Sequence, residues 1–204
     1  PVTLVNSLNP YRLQGQKTAA FEVFDALGFA PDLHAMPLGN AGNISAYHLG
    51  YREERDIGRI QELPKLWGIQ AAGSAPFIQG SPVKKPETIA TAIRIGNPAS
   101  WDLAQAAKAD TGGAFGAVTD KEILWMHRFL SQEAGVFVEP SSATGAAGLY
   151  KAKQLGQLPK VNSIVVTVTG HGLKDPDWAL KDERGRAIKP KKVCLLYTSP
   201  SPRD

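Results

Sequence analysis

A loop rich in glycine and asparagine, between an apolar segment and an amphipathic one, is the clearest candidate binding feature of this sequence. The loop is Gly39-Asn40-Ala41-Gly42-Asn43, and it follows an apolar run from Leu33. An amphipathic helix is predicted to follow, with Ile44, Tyr47, His48 and Tyr51 on one face. The first N–H groups of a helix lack partners, and the helix dipole favours an anion there. The pattern predicts either a phosphate site or an ordinary turn, with Asn40 or Asn43 as the helix cap.

Two further segments carry polar groups beside predicted elements. Asn6, Ser7 and Arg12 lie in a polar turn, Asn6-Ser7-Leu8-Asn9-Pro10-Tyr11-Arg12, and residue types alone predict a turn with Arg12 on the surface. Thr169 ends a β-branched run from Ser163 that predicts a buried central strand. Thr167 shares its face of that strand, so only the end position favours Thr169 as a site residue.

The histidines and the cysteine predict structural positions. His171 stands between two glycines and is expected to shape its loop. The other three histidines fall on candidate strand or helix faces, where packing is expected and nothing indicates a metal site: His34, His48 and His127. The single cysteine, Cys194, permits no disulfide within the chain and fits a reducing compartment.

The composition suits one α/β domain with a sizeable core. The chain has 204 residues, of which 43% are hydrophobic and 21% are charged. The net charge is +4 and the basic residues are scattered, which predicts a solvated surface and no nucleic-acid binding. No run approaches the roughly 18 apolar residues of a membrane span.

Predicted strands and helices alternate along the chain. This order predicts a three-layer α/β fold, with a mainly parallel, twisted sheet and helices on both faces. The site is then expected in the loops at the carboxyl ends of the strands. Two local patterns support this interpretation: a capping box at Thr119-Asp120-Lys121-Glu122, and small residues before Leu155 that predict a helix packed closely on the sheet.

The chain ends look unusual. It opens without an initiator methionine, and residues 194–204 resemble a translated sequencing adapter. We therefore expect residues 1–193 to be an incomplete domain and residues 194–204 to be a non-native, disordered tail.

Five segments, taken together, resemble the threonine synthases, which are pyridoxal-phosphate enzymes of fold type II. The segments are Val5 to Arg12, Gly39 to Asn43, Thr91 to Ser100, Glu139 to Ala143 and Thr167 to Asp175. Their order and spacing fit from Val2 to about Val193. The resemblance implies a lyase that uses pyridoxal 5'-phosphate to convert O-phospho-L-homoserine and water into L-threonine and phosphate, by γ-elimination and then β-addition of water.

The resemblance also implies roles for individual residues. The cofactor's phosphate would be held by the loop, Gly39, Asn40, Ala41, Gly42 and Asn43. Thr169 would lie beside the pyridine nitrogen, where a hydroxyl gives a milder electron sink than a carboxylate. The substrate's phosphate would be bound by Asn6, Ser7, Arg12 and Asn40, with the guanidinium supplying two parallel bonds.

No lysine here matches the one that binds the cofactor covalently in that family. We therefore expect a C-terminal fragment with no catalytic residue of its own and no turnover alone. The resemblance further implies a cytoplasmic enzyme that could form a homodimer, with no nucleic-acid or membrane partner. Three alternatives stay open: another fold-type-II lyase such as a threonine dehydratase, a catalytically dead ligand-binding paralogue, and a nucleotide-binding domain. The last lacks the expected G-x-G-x-x-G.

Overall fold

A four-stranded parallel sheet forms the centre of the molecule. The computed structural model describes residues 9–181 and 186–188. The strands are β1 (Leu33–Pro37), β2 (Lys65–Ala71), β3 (Ala114–Val118) and β4 (Ile164–Val166), in the spatial order β3-β2-β1-β4. In register, Ala35 of β1 lies opposite Trp67 of β2 and Val166 of β4. Because all pairs are parallel, the carboxyl ends of the strands lie along one edge of the sheet.

Helices connect the strands and cover the sheet. They are α1 (Pro10–Gln16), α2 (Thr18–Leu27), α3 (Gly42–Asp56), α4 (Pro76–Gln79), α5 (Trp101–Asp110), α6 (Asp120–Glu133) and α7 (Thr144–Gln154). Short 3₁₀ helices span Thr91–Ile93, Pro140–Ala143, Gly172–Lys174 and Pro176–Trp178. In the described part of the chain, no helix combines the length and apolar character needed to span a bilayer.

Side chains alternate across β1 and pack against helices on opposite faces. Met36 belongs to a buried cluster with Ile44 of α3 and Ala104 of α5. Leu33 and Ala35 pack instead with Leu149 of α7. The period of two along the strand places these groups on opposite faces. The predicted three-layer α/β fold with a parallel sheet is confirmed.

Two glycines allow α7 to approach the sheet closely. A Cβ at Gly148 would lie 2.6 Å from side-chain atoms of Ile69 in β2, and one at Gly145 would lie 3.3 Å from the Met36 Cα of β1. The close packing predicted from the small residues of this helix is therefore confirmed.

Three local predictions were wrong. Apolar residues at helical spacing before Gly28 predict one helix over Gln14 to Leu27, but the structure has two helices, with Lys17 between them. The run Val136-Phe137-Val138 predicts a short strand, but the structure has only an isolated bridge there, between Val138 and His171. The strand expected to be central, β4, has only three residues and no paired strand on its outer side within the described residues. A continuous β-branched run fits both an edge and a central strand, so the pattern alone could not decide.

Several expectations concern residues outside the described ones. One is a short strand, which the β-type residues from Val2 to Val5 predict. The others are the positions of Asn6 and Ser7, the boundary at residue 193, and the tail at 194–204 with Cys194.

Gly50→Ala is expected to destabilise the fold by about 2 kcal/mol, as is typical of overpacking. An added Cβ would lie 2.4 Å from the Lys17 carbonyl oxygen and 2.7 Å from the Ala20 Cβ. Because the first of these atoms is backbone, α2 and α3 would have to separate. Thermal unfolding of the 204-residue chain should show a midpoint about 4–8 °C lower.

The matched control is Gly15→Ala in α1, where an added Cβ meets nothing within 4 Å. This variant should be unchanged or more stable by up to about 1 kcal/mol, because alanine favours helix. Equal midpoints for Gly50→Ala and the unmodified chain would contradict the close packing of α2 and α3.

Candidate functional site

A cavity of about 310 Å³ opens at the carboxyl edge of the sheet. It lies among the β1–α3 loop, the residues after β4, helix α1 and the segment around the first 3₁₀ helix. Its lining is formed by Arg12, Leu13, Gln16, Pro37, Gly39, Asn40, Ala41, Gly42, Asn43, Ala92, Ile93, Ile95, Glu139, Ser141, Thr169 and Lys174. The cavity therefore brings together every proposed site residue that the structure describes.

The loop between β1 and α3 turns through a left-handed alanine. Ala41 has φ +68° and is the one non-glycine residue with positive φ in residues 9–181 and 186–188. It is also the N-cap of α3, and no side chain caps this helix. The prediction that Asn40 or Asn43 caps α3 was wrong. The Asn40 side chain is used elsewhere, because its Oδ1 accepts from the Ala99 N–H at 2.7 Å.

The start of α3 is suited to an anion. Without a side-chain cap, the first N–H groups of the helix remain available at the positive end of its dipole. Gly39 packs the loop tightly, since a Cβ there would lie 3.1 Å from the Ile93 Cα. At Gly42 a Cβ would meet only the Gln16 Oε1, at 3.8 Å. These features fit a phosphate group, although the role of the loop stays a prediction.

Thr167 and Thr169 follow β4 but have different surroundings. Thr169 lines the cavity, and its Oγ1 lies 2.7 Å from the Oγ of the buried Ser142. Thr167 instead belongs to a polar network with His34 of β1 and Tyr47 of α3. Of the two threonines, only Thr169 lines this cavity. Its role at a pyridine nitrogen stays a prediction.

The network around Thr167 is centred on His34 of β1, which has no exposed surface. The His34 Nε2 lies 2.7 Å from the Thr167 Oγ1, and its Nδ1 lies 3.0 Å from the Tyr51 hydroxyl. Thr167 in turn donates to the Tyr47 hydroxyl at 3.1 Å. Burial lowers the pKa of His34 to about 4 and raises the pKa of Tyr51. A neutral imidazole therefore ties β1, α3 and the end of β4 together.

The other histidines hold structural positions, as predicted. His48 and His127 are buried, and the His48 Nε2 lies 2.7 Å from the Asp110 Oδ2. The His171 Nδ1 accepts from the Leu173 N–H at 3.1 Å, which caps a short 3₁₀ helix. Within the residues that the structure describes, no group of three or more histidine, cysteine, aspartate or glutamate side chains could hold a metal ion.

A buried carboxylate lies at another wall of the cavity. Glu139 is 2% exposed, and its Oε1 lies 3.8 Å from the Lys174 Nζ. Its backbone N–H donates to the Gly170 carbonyl at 2.9 Å. A Cβ at Gly170 would lie 2.0 Å from the Glu139 Oε1, so glycine is required where this side chain packs. Glu139 thus fixes the segment that carries Thr169.

Arg12 reaches the cavity from α1, and its exposed position agrees with the prediction from residue type. The helix begins because the Asn9 Oδ1 accepts from the Tyr11 N–H at 2.9 Å and Pro10 occupies the first helical position. Asn6 and Ser7, predicted to act with Arg12, lie outside the described residues.

Comparison with known proteins identifies the family of this chain. Residues 1–170 match the family model described as "Pyridoxal-phosphate dependent enzyme". This chain belongs to the pyridoxal-phosphate dependent enzymes. The predicted membership of the pyridoxal-phosphate enzymes and the predicted cofactor, pyridoxal phosphate, are confirmed.

A curated relative in this pyridoxal-phosphate dependent family is the threonine synthase of Synechocystis sp., 57% identical over 189 residues. The match covers 93% of this chain and 49% of the relative. The chain therefore spans about half the length of the curated relatives it matches.

Solved structures agree on the fold. An L-serine ammonia-lyase from Rhizomucor miehei gives a TM-score of 0.65 at 22% identity, over 78% of this chain and 51% of that chain. The processed form of threonine deaminase isoform 2 from Solanum lycopersicum gives 0.61 at 18% identity, over 78% and 43% respectively. At these identities the likeness shows the fold alone, and it confirms the predicted fold class of this pyridoxal-phosphate dependent enzyme.

Proposed function

We propose that this chain supplies the cofactor-phosphate and substrate-phosphate sites of a threonine synthase. The reaction converts O-phospho-L-homoserine and water into L-threonine and phosphate. The observation that carries the proposal is that two anion-binding features share one cavity: the uncapped start of α3 and the guanidinium of Arg12. The name and 57% identity of the Synechocystis relative support the same reaction.

The β1–α3 loop holds the cofactor's phosphate in this proposal. Backbone N–H groups from Gly39 to Asn43 donate to its oxygens, and the α3 dipole favours its charge. Thr169, in the segment after β4, places a hydroxyl at the ring nitrogen. When bound, pyridoxal phosphate supplies an electron-withdrawing ring that stabilises negative charge at a substrate carbon.

The substrate's phosphate is the second anion. Arg12 offers two parallel N–H donors to it, with Asn6 and Ser7 filling other oxygen positions. Asn40 can assist through its amide nitrogen. Its Oδ1 already accepts from the Ala99 N–H, so both Nδ2 hydrogens are left as donors. Holding two phosphates at a fixed separation would stretch the carbon chain of the substrate across the cofactor ring.

A threonine dehydratase is the second candidate, and the fold shared with the threonine deaminase of Solanum lycopersicum favours it. Its substrate carries no phosphate, so it gives Arg12 no partner on the substrate. The higher identity to threonine synthases and the Arg12 guanidinium in the cavity both favour the phosphorylated substrate.

A chimera tests the function directly. This chain replaces the segment that it matches in the Synechocystis relative, which restores a complete enzyme around its cavity. We expect the chimera to release phosphate from O-phospho-L-homoserine and to form threonine, with little deamination of L-threonine. The unmodified relative is the positive control.

Deamination of L-threonine without phosphate release would favour the dehydratase. Cofactor binding without either reaction would favour a ligand-binding paralogue.

Cytoplasmic location and a homodimer remain part of the proposal. The presence of a single cysteine is consistent with a reducing compartment.

A further inference from the structure

Ser142 makes four polar contacts with the segment that carries the cavity hydroxyl. Its Oγ accepts from the Thr169 N–H at 3.0 Å and from the Gly170 N–H at 2.6 Å. The same oxygen lies 2.7 Å from the Thr169 Oγ1 and 3.2 Å from the Gly170 carbonyl oxygen. Ser142 is fully buried, so its end of these contacts is shielded from water.

The number of protons decides the direction of the hydroxyl bond. A serine hydroxyl has two lone pairs and one hydrogen. Both lone pairs are taken by the two backbone N–H groups, so the oxygen has no further capacity to accept. Its hydrogen therefore goes to the nearer acceptor, the Thr169 Oγ1. Thr169 accepts this bond, and its own hydrogen remains for a group in the cavity.

We propose that Ser142 is a positioning residue that makes Thr169 a hydrogen-bond donor into the cavity. This inference rests on the proposed placement of Thr169 at the ring nitrogen of pyridoxal phosphate. A donor at that place requires a ring nitrogen that accepts, which is an unprotonated nitrogen. Ser142 thereby sets the strength of the electron sink without touching the cofactor.

The surroundings of Ser142 keep this arrangement fixed. It lies in the 3₁₀ helix Pro140–Ala143, all four residues of which are buried. Its own N–H donates to the Glu139 carbonyl at 3.0 Å, and the Glu139 N–H donates to the Gly170 carbonyl at 2.9 Å. Hydrogen bonds therefore join two short segments, one before α7 and one after β4, where the hydroxyls of Ser142 and Thr169 meet.

A double-mutant cycle in the chimera tests the coupling. Ser142→Ala should weaken cofactor binding about fivefold when Thr169 is present, the loss of about one hydrogen bond. In the Thr169→Val background the same change should cost less than about twofold, because no hydroxyl remains to orient. Ser131→Ala in α6, whose hydroxyl donates to the His127 carbonyl, is the matched control and should change neither value.

A spectroscopic readout separates positioning from general damage. With ¹⁵N-labelled cofactor, the unmodified chimera should show an unprotonated, hydrogen-bonded ring nitrogen, and Ser142→Ala should shift its resonance. Thr169→Ser, which keeps the hydroxyl, should retain the original resonance. A protonated ring nitrogen in the unmodified chimera would overturn the proposal, as would equal losses of affinity in both backgrounds.

Amide exchange tests the acceptor role without the cofactor. Ser142→Ala in the 204-residue chain should speed exchange at the Thr169 and Gly170 amides, and unchanged exchange would overturn the proposal.

A chimera that binds the cofactor but releases no phosphate contradicts only the proposed reaction. A chimera that fails to bind the cofactor contradicts both.

Discussion

Arg12→Ala in the chimera is expected to lower kcat/KM for O-phospho-L-homoserine about a hundredfold, the loss of a charge-assisted pair at roughly tenfold per 1.4 kcal/mol. Arg12 is the one arginine among the described residues that line the cavity, and it lies in the first turn of α1, which begins at the Asn9 cap. The guanidinium meets a phosphate with two parallel donors, so its removal leaves an anion poorly compensated. Phosphate release under steady-state conditions measures the effect.

The control is Arg52→Ala, which removes an exposed arginine of α3 that is not part of the cavity lining. This change should leave kcat/KM within about twofold. Arg12→Lys should lie between the two, because an ammonium keeps the charge but loses the fork of two donors. Unaltered turnover in Arg12→Ala would refute the assignment of the substrate's phosphate.

Acidification should destabilise the chain through His34. The imidazole is buried and neutral, with a folded pKa of about 4 against 6.5 for the free side chain. Between these values the unfolded chain binds more protons than the folded one, so stability falls as pH falls from about 6.5 to 4. At pH 4 this one residue should account for about 3 kcal/mol, at 1.36 kcal/mol per unit of pKa.

The contribution of His34 is isolated by comparing His34→Gln with the unmodified chain. Urea unfolding at pH 7 and pH 4 should show a smaller loss of stability in the variant, since glutamine does not titrate. His171→Gln is the control, because it removes an exposed histidine and leaves His34 in place. The prediction fails if His34→Gln loses as much stability on acidification as the unmodified chain.

The sequence predicts elements whose signals are local. The capping box is present, with the Thr119 hydroxyl accepting from the Glu122 N–H and the Glu122 carboxylate accepting from the Thr119 N–H. The C-cap at Gly28 is left-handed, as its position after an amphipathic run indicates. Such features depend on a few neighbouring residues, so residue type and spacing are enough to place them.

Features that depend on distant partners were missed or misread. Residue type makes Asn40 a good candidate cap for α3, but its Oδ1 accepts a hydrogen bond from the N–H of Ala99, which lies 59 residues later. The sequence gives no separate role to Ser142, because its hydrogen-bond partner Thr169 lies 27 residues away. The predicted site residues that the structure describes line one cavity at the strand ends. The direction of the hydrogen bonds around them could be assigned only from the folded arrangement.

The pairing of β1 with β4 has a consequence for the order of folding. Leu33 lies opposite Ile164, so this pair closes a long loop of chain, whereas β1, α3 and β2 are near neighbours in sequence. Contacts of long sequence separation carry a large closure entropy and tend to form late. The loop before α3 can therefore be complete while Thr169 is still unplaced. Assembly of the cavity is then a terminal folding event, so a change that slows the docking of β4 would delay the functional state more than the bulk of the fold.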